Sequence, residues 1–141
     1  MTTIQFCTGT DFSFDKVDAL YSDAGWSAYT SDKDTLEKAI NNSLFVLTAW
    51  SGEQLIGLLR AVGDGLTIVY VQDILVLQSY RRQSIGRQLL MQLLEKYSTV
   101  RQIVLMTDNT NETTSFYERC GLTRTENLQI QTFVRLMTND Q

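Results

Sequence analysis

VYVQDILVLQSYRRQSIGRQLLMQLL, residues 69–94, decides how the chain is read. It opens as a long apolar run, passes through a short arginine-rich turn and continues as an amphipathic stretch. The expected structure is a strand, a turn and a helix. Such a junction holds phosphate, because the amides of a helix's first turn have no intrahelical partner and the macrodipole puts partial positive charge there. Arg81, Arg82 and Arg87 add three full charges at the same point.

The surrounding composition narrows the ligand. A chain of 141 residues has the size of one domain, expected to span 1–141, with a core that needs no disulfide staples. Twelve Lys and Arg stand against 16 Asp and Glu, a net charge of −4. An acidic balance argues against nucleic acid, where basic surface supplies most of the affinity. Histidine is absent, which removes Ser-His and Cys-His nucleophile systems and most zinc sites. Cys7 and Cys120 lie far apart with no metal-ligand spacing, so no metal is expected. With no signal-peptide pattern and no bilayer-length apolar run, a cytoplasmic protein free of membrane is expected.

Outward from the central stretch, the periodicity gives the order βααβββαβαβ. Residues 3–7 read as a short strand. Ser13 caps a helix over roughly 14–23, with Phe14, Val17, Leu20 and Tyr21 on one face. A short connection holds Trp26 and Tyr29. Ser31 and Asp34 resemble a capping box for a helix over about 32–41. Residues 44–50, 55–62 and 66–77 read as three strands joined by tight turns, an antiparallel meander. The helix after the arginines carries Ile85, Leu89, Leu90, Leu93, Leu94 and Tyr97 at helical spacing. Residues 102–106 form a strand that the right-handed crossover rule makes parallel to 66–77. A helix runs to about Cys120, with Gly121 as its left-handed cap. Alternating residues 128–137 (LQIQTFVRLM) read as a last strand, a candidate for pairing across a two-fold axis in a homodimer. The class is α/β with a mixed, mostly antiparallel sheet flanked by helices.

Neither a P-loop nor a G-x-G-x-x-G dinucleotide fingerprint occurs in the turn. Arg81-Arg82-Gln83-Ser84-Ile85-Gly86-Arg87 instead resembles the acyl-CoA pyrophosphate loop of the GNAT N-acetyltransferase superfamily, of the small bacterial single-domain type, whose pattern is Q/R-x-x-G-x-G/A. Arg81 and Gly86 match its ends. Ser84 stands where the family has glycine, a departure that matters if the position needs positive φ. Residues 109–122 (NTNETTSFYERCGL) resemble the second acyl-CoA motif, with Phe116, Tyr117, Glu118, Gly121 and Leu122 matching and a threonine in place of the usual alanine. The two motifs lie within residues 69–122.

The resemblance implies a GNAT-like fold and acetyl-CoA as co-substrate. It places the pantetheine arm along Ile74, Leu75, Val76 and Leu77 and the pyrophosphate on residues 81–87. It implies direct transfer of acetyl to a primary amine, with no acetyl-enzyme. A small-molecule amine is preferred, because the chain is short and has no added docking domain. Protein lysine or N-terminal acetylation, and a non-catalytic acetyl-CoA-binding module, are the alternatives. Tyr117 is the implied donor to the departing thiolate. Full transfer from a phenol of pKa about 10 to a thiol of about 8.5 is uphill by about 2 kcal/mol, so hydrogen bonding serves equally. Its bland alternative is packing against Phe116.

The base is less defined. Asp73, at the start of the apolar run, is read either as a buried base of raised pKa or as a hydrogen-bonded structural carboxylate. Asp23, Tyr70 and Tyr29 are weaker candidates. Trp26 and Tyr29 border the acceptor pocket by resemblance, where aromatics suit a cationic amine, or they pack between helices. Asn109 and Asn111 are either loop and cap residues or contacts to pantetheine.

Overall fold

The computed structural model describes residues 3–137. The chain divides into two compact units, Met1–Met106 and Thr107–Gln141.

The first unit is built on a five-stranded sheet in sequence order: β1 (Ile4–Thr8), β2 (Phe45–Ser51), β3 (Gln54–Gly63), β4 (Ile68–Val76) and β5 (Gln102–Leu105). The first four strands pair antiparallel, and β4 pairs β5 in parallel. The meander and the parallel crossover therefore form as the sequence predicts. Local chemistry explains the turns. Asp64 Oδ1 accepts hydrogen bonds from the amides of Leu66, Thr67 and Ile68, which closes the β3–β4 hairpin.

Between β1 and β2 lie α1 (Phe14–Asp23), α2 (Ser27–Thr30) and α3 (Lys33–Asn41). Ser13 caps α1, as expected. Asp32 rather than Ser31 caps α3, accepting from the Thr35 amide at 3.2 Å. The aromatic connection is itself the short helix α2, so three helices stand where the sequence reading has two. A single helical turn is too short to leave a periodic stripe.

The sheet is covered on both faces. Val17, Leu20 and Tyr21 of α1 and Leu36 and Ile40 of α3 form one cluster with Val46, Leu58 and Leu75. The opposite face receives α4 (Ile85–Lys96), whose Ile85, Leu89, Leu90 and Leu93 are buried. Gly57 sets that approach. A Cβ there would lie 3.3 Å from both Ile85 Cγ2 and Leu89 Cδ1, so the strand is bare where the helix crosses it.

One irregularity in β4 shapes the polar end of the sheet. Ala61 pairs with Val71 and Arg60 with Asp73, leaving Gln72 as an extra residue. This β-bulge reverses the alternation of the strand. Val71 and Asp73 are both buried, yet they point to opposite faces.

The second unit holds α5 (Asn111–Arg119), capped by Thr110, whose side chain accepts from the Thr113 amide. Gly121, at φ +94, takes the left-handed position beyond its end. The chain then makes a 3₁₀ turn, Thr125–Leu128. The final strand expected over 128–137 does not form: residues 129–137 carry no regular structure. Alternation is necessary for a half-buried strand but does not supply the edge that a strand must pair with. The 3₁₀ turn takes Leu128, and Gln129 at φ +58 breaks the extended path. Among the described residues no helix is long and apolar enough to cross a membrane.

Candidate active site

The site of the first unit is assembled along β4. Its pairing with β5 ends at Val71 and Leu105, whereas β4 continues to Val76 and stays paired to β3 through Gly57. From Gln72 to Val76 the β5-facing edge therefore has no strand partner among the described residues. Backbone groups of a strand alternate between its two edges, so this short length presents unused donors and acceptors. Ile74, Leu75 and Val76 lie on it. Leu77 comes next, its amide donating to Ile56 O at 2.8 Å.

The open edge leads directly to the arginine-rich turn. A 3₁₀ turn, Gln78–Tyr80, precedes α4. It is held to α1 by Asp23, whose Oδ2 accepts from the Gln78 amide at 2.9 Å. Tyr80 Oη contacts Ser51 Oγ at 3.3 Å. Asp23 is thus engaged as a tether. Arg82 (φ +67) and Ser84 (φ +63) both adopt positive φ. Ser84 is the N-cap of α4 in the left-handed region and makes no side-chain capping bond. A left-handed residue followed by right-handed helix turns successive N–H groups to one side, forming an anion-binding concavity.

The charges there are unspent. Among the described residues the ion pairs are Lys33–Asp18, Arg60–Asp73 and Arg124–Glu126. Arg81, Arg82 and Arg87 are exposed and join none of them. Gln83 is exposed beside them, and Gly86 lies within the first turn of α4. Uncapped amides, a concave turn and three free guanidinium groups fit a pyrophosphate.

At the bulge the sequence reading of Asp73 meets its second alternative. Asp73 is 3% exposed. Its Oδ2 accepts from Arg60 Nε at 2.6 Å and from Tyr21 Oη at 2.9 Å, and its Oδ1 accepts from Tyr29 Oη at 2.9 Å. Three donors, one of them the Arg60 guanidinium of an ion pair, engage both oxygens, the arrangement of a hydrogen-bonded structural carboxylate. Burial pushes the Tyr21 phenol well above the usual tyrosine range, and the adjacent Asp73 charge pushes it further. The same two causes raise Tyr29. Both phenols therefore stay protonated as donors. For Arg60, burial works against the charged form most strongly, but the charge and hydrogen bond of Asp73 together with Tyr21 and Tyr29 outweigh it, and the group is held above its ordinary value. Tyr70 is raised by burial and then by Asp73.

Trp26 and Tyr29 stand together at this end, ring centroids 5.9 Å apart, with Tyr21 at 5.7 Å from Trp26 and 5.4 Å from Tyr29. Both readings of the pair have support: they pack between helices, and both are only partly buried. Arg60 and Gln72 are the participants that sequence reasoning missed. A basic residue at 60 within the apolar run 55–62 was the available signal for the first. Nothing in the sequence announces the bulge that exposes the second.

In the second unit, Tyr117 packs edge-on against Phe116 at 4.9 Å. Burial raises its phenol, a hydrogen bond with the Thr107 side chain lowers it, and Cys120 raises it. The net direction is up, so full proton transfer to a thiolate becomes harder than the ordinary value of tyrosine implies. Asn109 is an exposed loop residue, and Asn111 is the first residue of α5 rather than its cap.

A mixed sheet whose fourth strand opens toward an uncapped, arginine-flanked helix N-terminus has the features of the acyl-CoA-binding transferases that the two motifs resemble. The family model for the GNAT acetyltransferase domain matches residues 10–138. A GNAT-family acetyltransferase from Streptococcus pneumoniae TIGR4 is 30% identical, with 96% of this chain and 99% of that one covered at a TM-score of 0.86. A probable acetyltransferase from methicillin-resistant Staphylococcus aureus is 26% identical, covering 94% of this chain and 100% of that one at 0.71. The aminoglycoside N-acetyltransferase AAC(6')-Iy in complex with CoA, 18% identical, covers 96% of each chain at 0.73 and shows likeness of fold. No curated protein sequence matches. The chain belongs to the GNAT acetyltransferase family and is an acyl-CoA-dependent N-acetyltransferase.

Ser84 yields a direct prediction. A non-glycine residue in the left-handed region costs about 1–2 kcal/mol, partly offset by the chain entropy that glycine brings. Ser84→Gly should stabilise the protein by about 1 kcal/mol, raising the melting temperature by roughly 3 °C. A lowered melting temperature would contradict the conformation assigned to this turn.

Proposed function

We propose that residues 1–141 act as one domain that moves acetyl from acetyl-CoA to a primary amine of a small molecule, in the cytoplasm. The observation that carries this reading is the open edge of β4 running into the uncapped, arginine-rich start of α4. Arg81, Arg82 and Arg87 and the amides of Ser84, Ile85 and Gly86 bind pyrophosphate. Backbone groups of Ile74, Leu75 and Val76, with Leu77, bind the pantetheine arm. Five residues of strand span about 17 Å, so an arm laid from Leu77 toward Gln72 ends at the bulge. Asn109 and Asn111 remain candidate contacts to the arm by the resemblance of their motif.

Acetyl-CoA supplies an activated acetyl group: the neutral amine nitrogen bonds to the carbonyl carbon and the C–S bond breaks, so an amine that arrives as ammonium gives up two protons in all, one to solvent before attack and one that the thiolate takes. The protein's part is placement and charge. A free backbone N–H on the open edge of β4 faces the carbonyl oxygen where negative charge develops. Trp26 and Tyr29 hold the acceptor, and water removes its proton, since Asp73 is fully engaged. Tyr117 holds the departing sulfur by a hydrogen bond, which its raised pKa favours over outright proton donation. Exposed Phe133 and Met137, at 88% and 76%, support a homodimer in which a second copy covers them.

The test is thiol release from acetyl-CoA across a panel of primary amines that includes kanamycin, spermidine and 2-phenylethylamine. Acetylation of at least one amine is expected. Acetyl-CoA binding without release for any of them would make the protein a binder rather than an enzyme of small amines.

Two variants probe the placement. Arg81→Ala and Arg82→Ala should each weaken acetyl-CoA binding about five- to tenfold by calorimetry. Wild-type affinity in both would refute the pyrophosphate assignment. Tyr117→Phe should lower kcat about tenfold with acetyl-CoA affinity held within about twofold. An unchanged kcat would remove Tyr117 from the reaction.

A further inference from the structure

The hydrogen bonds around Asp73 fix more than packing. A carboxylate paired with a guanidinium only accepts, so each phenol that reaches it must donate. Tyr29 has one hydroxyl proton, and that proton is committed to Asp73 Oδ1. Its oxygen is left able only to accept. Gln72 meets it at 3.2 Å, and the contact is a hydrogen bond only if the amide nitrogen donates. This sets the orientation of the Gln72 amide: Nε2 toward Tyr29 and Oε1 away from it. Gln72 is the extra residue of the bulge and is exposed, and Oε1 is its end not turned to Tyr29. Inward charge thus sets outward polarity, through Arg60, Asp73, Tyr29 and Gln72 in turn.

We propose that Gln72 Oε1 and the Tyr29 phenol oxygen form a pair of acceptors that recognises the substrate amine as a hydrogen-bond donor, in its ammonium form, in preference to anionic molecules of the same shape. This deepens the function proposed above and rests on it. Each of the two oxygens has a lone pair to offer; the Tyr29 proton is committed to Asp73, and Gln72 keeps one amide N–H beyond the one it gives Tyr29. The Trp26 and Tyr29 rings border the same place and add their electron-rich faces. The acceptor pair lies where β4 leaves β5, beside the bulge at which the pantetheine arm is proposed to end. Gln72 thereby becomes a specificity residue that the sequence alone does not single out, and Arg60 and Asp73 become positioning residues that act through Tyr29.

The test separates this proposal from the function it rests on. Calorimetry first titrates CoA alone into the protein; absence of binding would fail the acetyltransferase reading itself. The CoA-loaded protein, which cannot turn over, then receives kanamycin, spermidine and 2-phenylethylamine, with phenylacetate as the anionic counterpart of the last. At least one amine should bind, and phenylacetate should bind more weakly than every amine that does; where 2-phenylethylamine is the amine that binds, it should bind more tightly than phenylacetate. For the amine that binds, Gln72→Leu should weaken affinity about tenfold, the size expected for a lost hydrogen bond to a charged group. Gln72→Glu, which keeps an acceptor and adds negative charge, should restore or exceed wild-type affinity. Gln72→Lys should weaken it most. CoA affinity should stay within about twofold throughout, which also reports that the variants are folded. Gln72→Leu equal to wild type, Gln72→Glu as weak as Gln72→Leu, phenylacetate binding as well as the amine, or no amine binding to CoA-loaded protein would each overturn the acceptor pair.

Discussion

Arg60 and Asp73 meet at 2.6 Å inside the sheet, with side chains 7% and 2% exposed. Burying two charges costs several kcal/mol per ion before any attraction returns it. The position is tenable because Tyr21 and Tyr29 complete the carboxylate and Ser43 Oγ lies 3.4 Å from Arg60 Nη1. Removing one partner would leave a bare buried charge, which costs about 3–5 kcal/mol. The pair joins β3, β4, α1 and α2 at one point. It also stands at the bulge, where the alternation of β4 reverses and its pairing with β5 stops. A polar knot of this kind specifies one register, since sliding β4 by a residue would turn Asp73 away from Arg60.

From that knot the strand runs outward, one edge bare, to a turn that carries its own strain. Ser84 and Arg82 hold positive φ without being glycine. Such strain gathers where backbone must aim at a ligand and persists because its surroundings fix it. Here the surroundings are specific. Asp23 anchors the turn from α1, Tyr80 reaches Ser51, and Ile85 and Leu89 pack down onto bare Gly57. The amides of α4 are thus preorganised, and the side chains of Arg81, Arg82 and Arg87 are left to solvent. Fold and ligand requirements meet in the same few residues.

Much of this is legible in the chain. Hairpin turns at 51–54 and 63–65, the stripe on α4, and the crossover to β5 all arise from local patterns, and they fix the five-stranded order. The arginine-rich turn is legible because its chemistry is local: three arginines, one glycine and a helix start. Features that depend on pairing are not. The bulge arises because two strands with different residue counts share a register, and no single strand encodes that. Whether Asp73 is a base or a structural group depends on an arginine thirteen residues away and on two phenols from α1 and α2. The alternation of 128–137 carries the opposite lesson, since a strand pattern without an edge to join gives no strand. Ser84 stands out in the sequence as the point of departure from the family pattern, and its positive φ shows that the glycine it replaces has a conformational reason.

The central claim is that acetyl-CoA lies along the unpaired edge of β4 and ends on the first turn of α4. Hydrogen exchange read by mass spectrometry, with and without saturating acetyl-CoA, tests this most directly, because unpartnered amides exchange quickly and become protected when a ligand takes them up. The account predicts that protection rises in residues 72–76 and 84–88 and that β1 and β2 change little. Protection elsewhere, with these two segments unchanged, would contradict it.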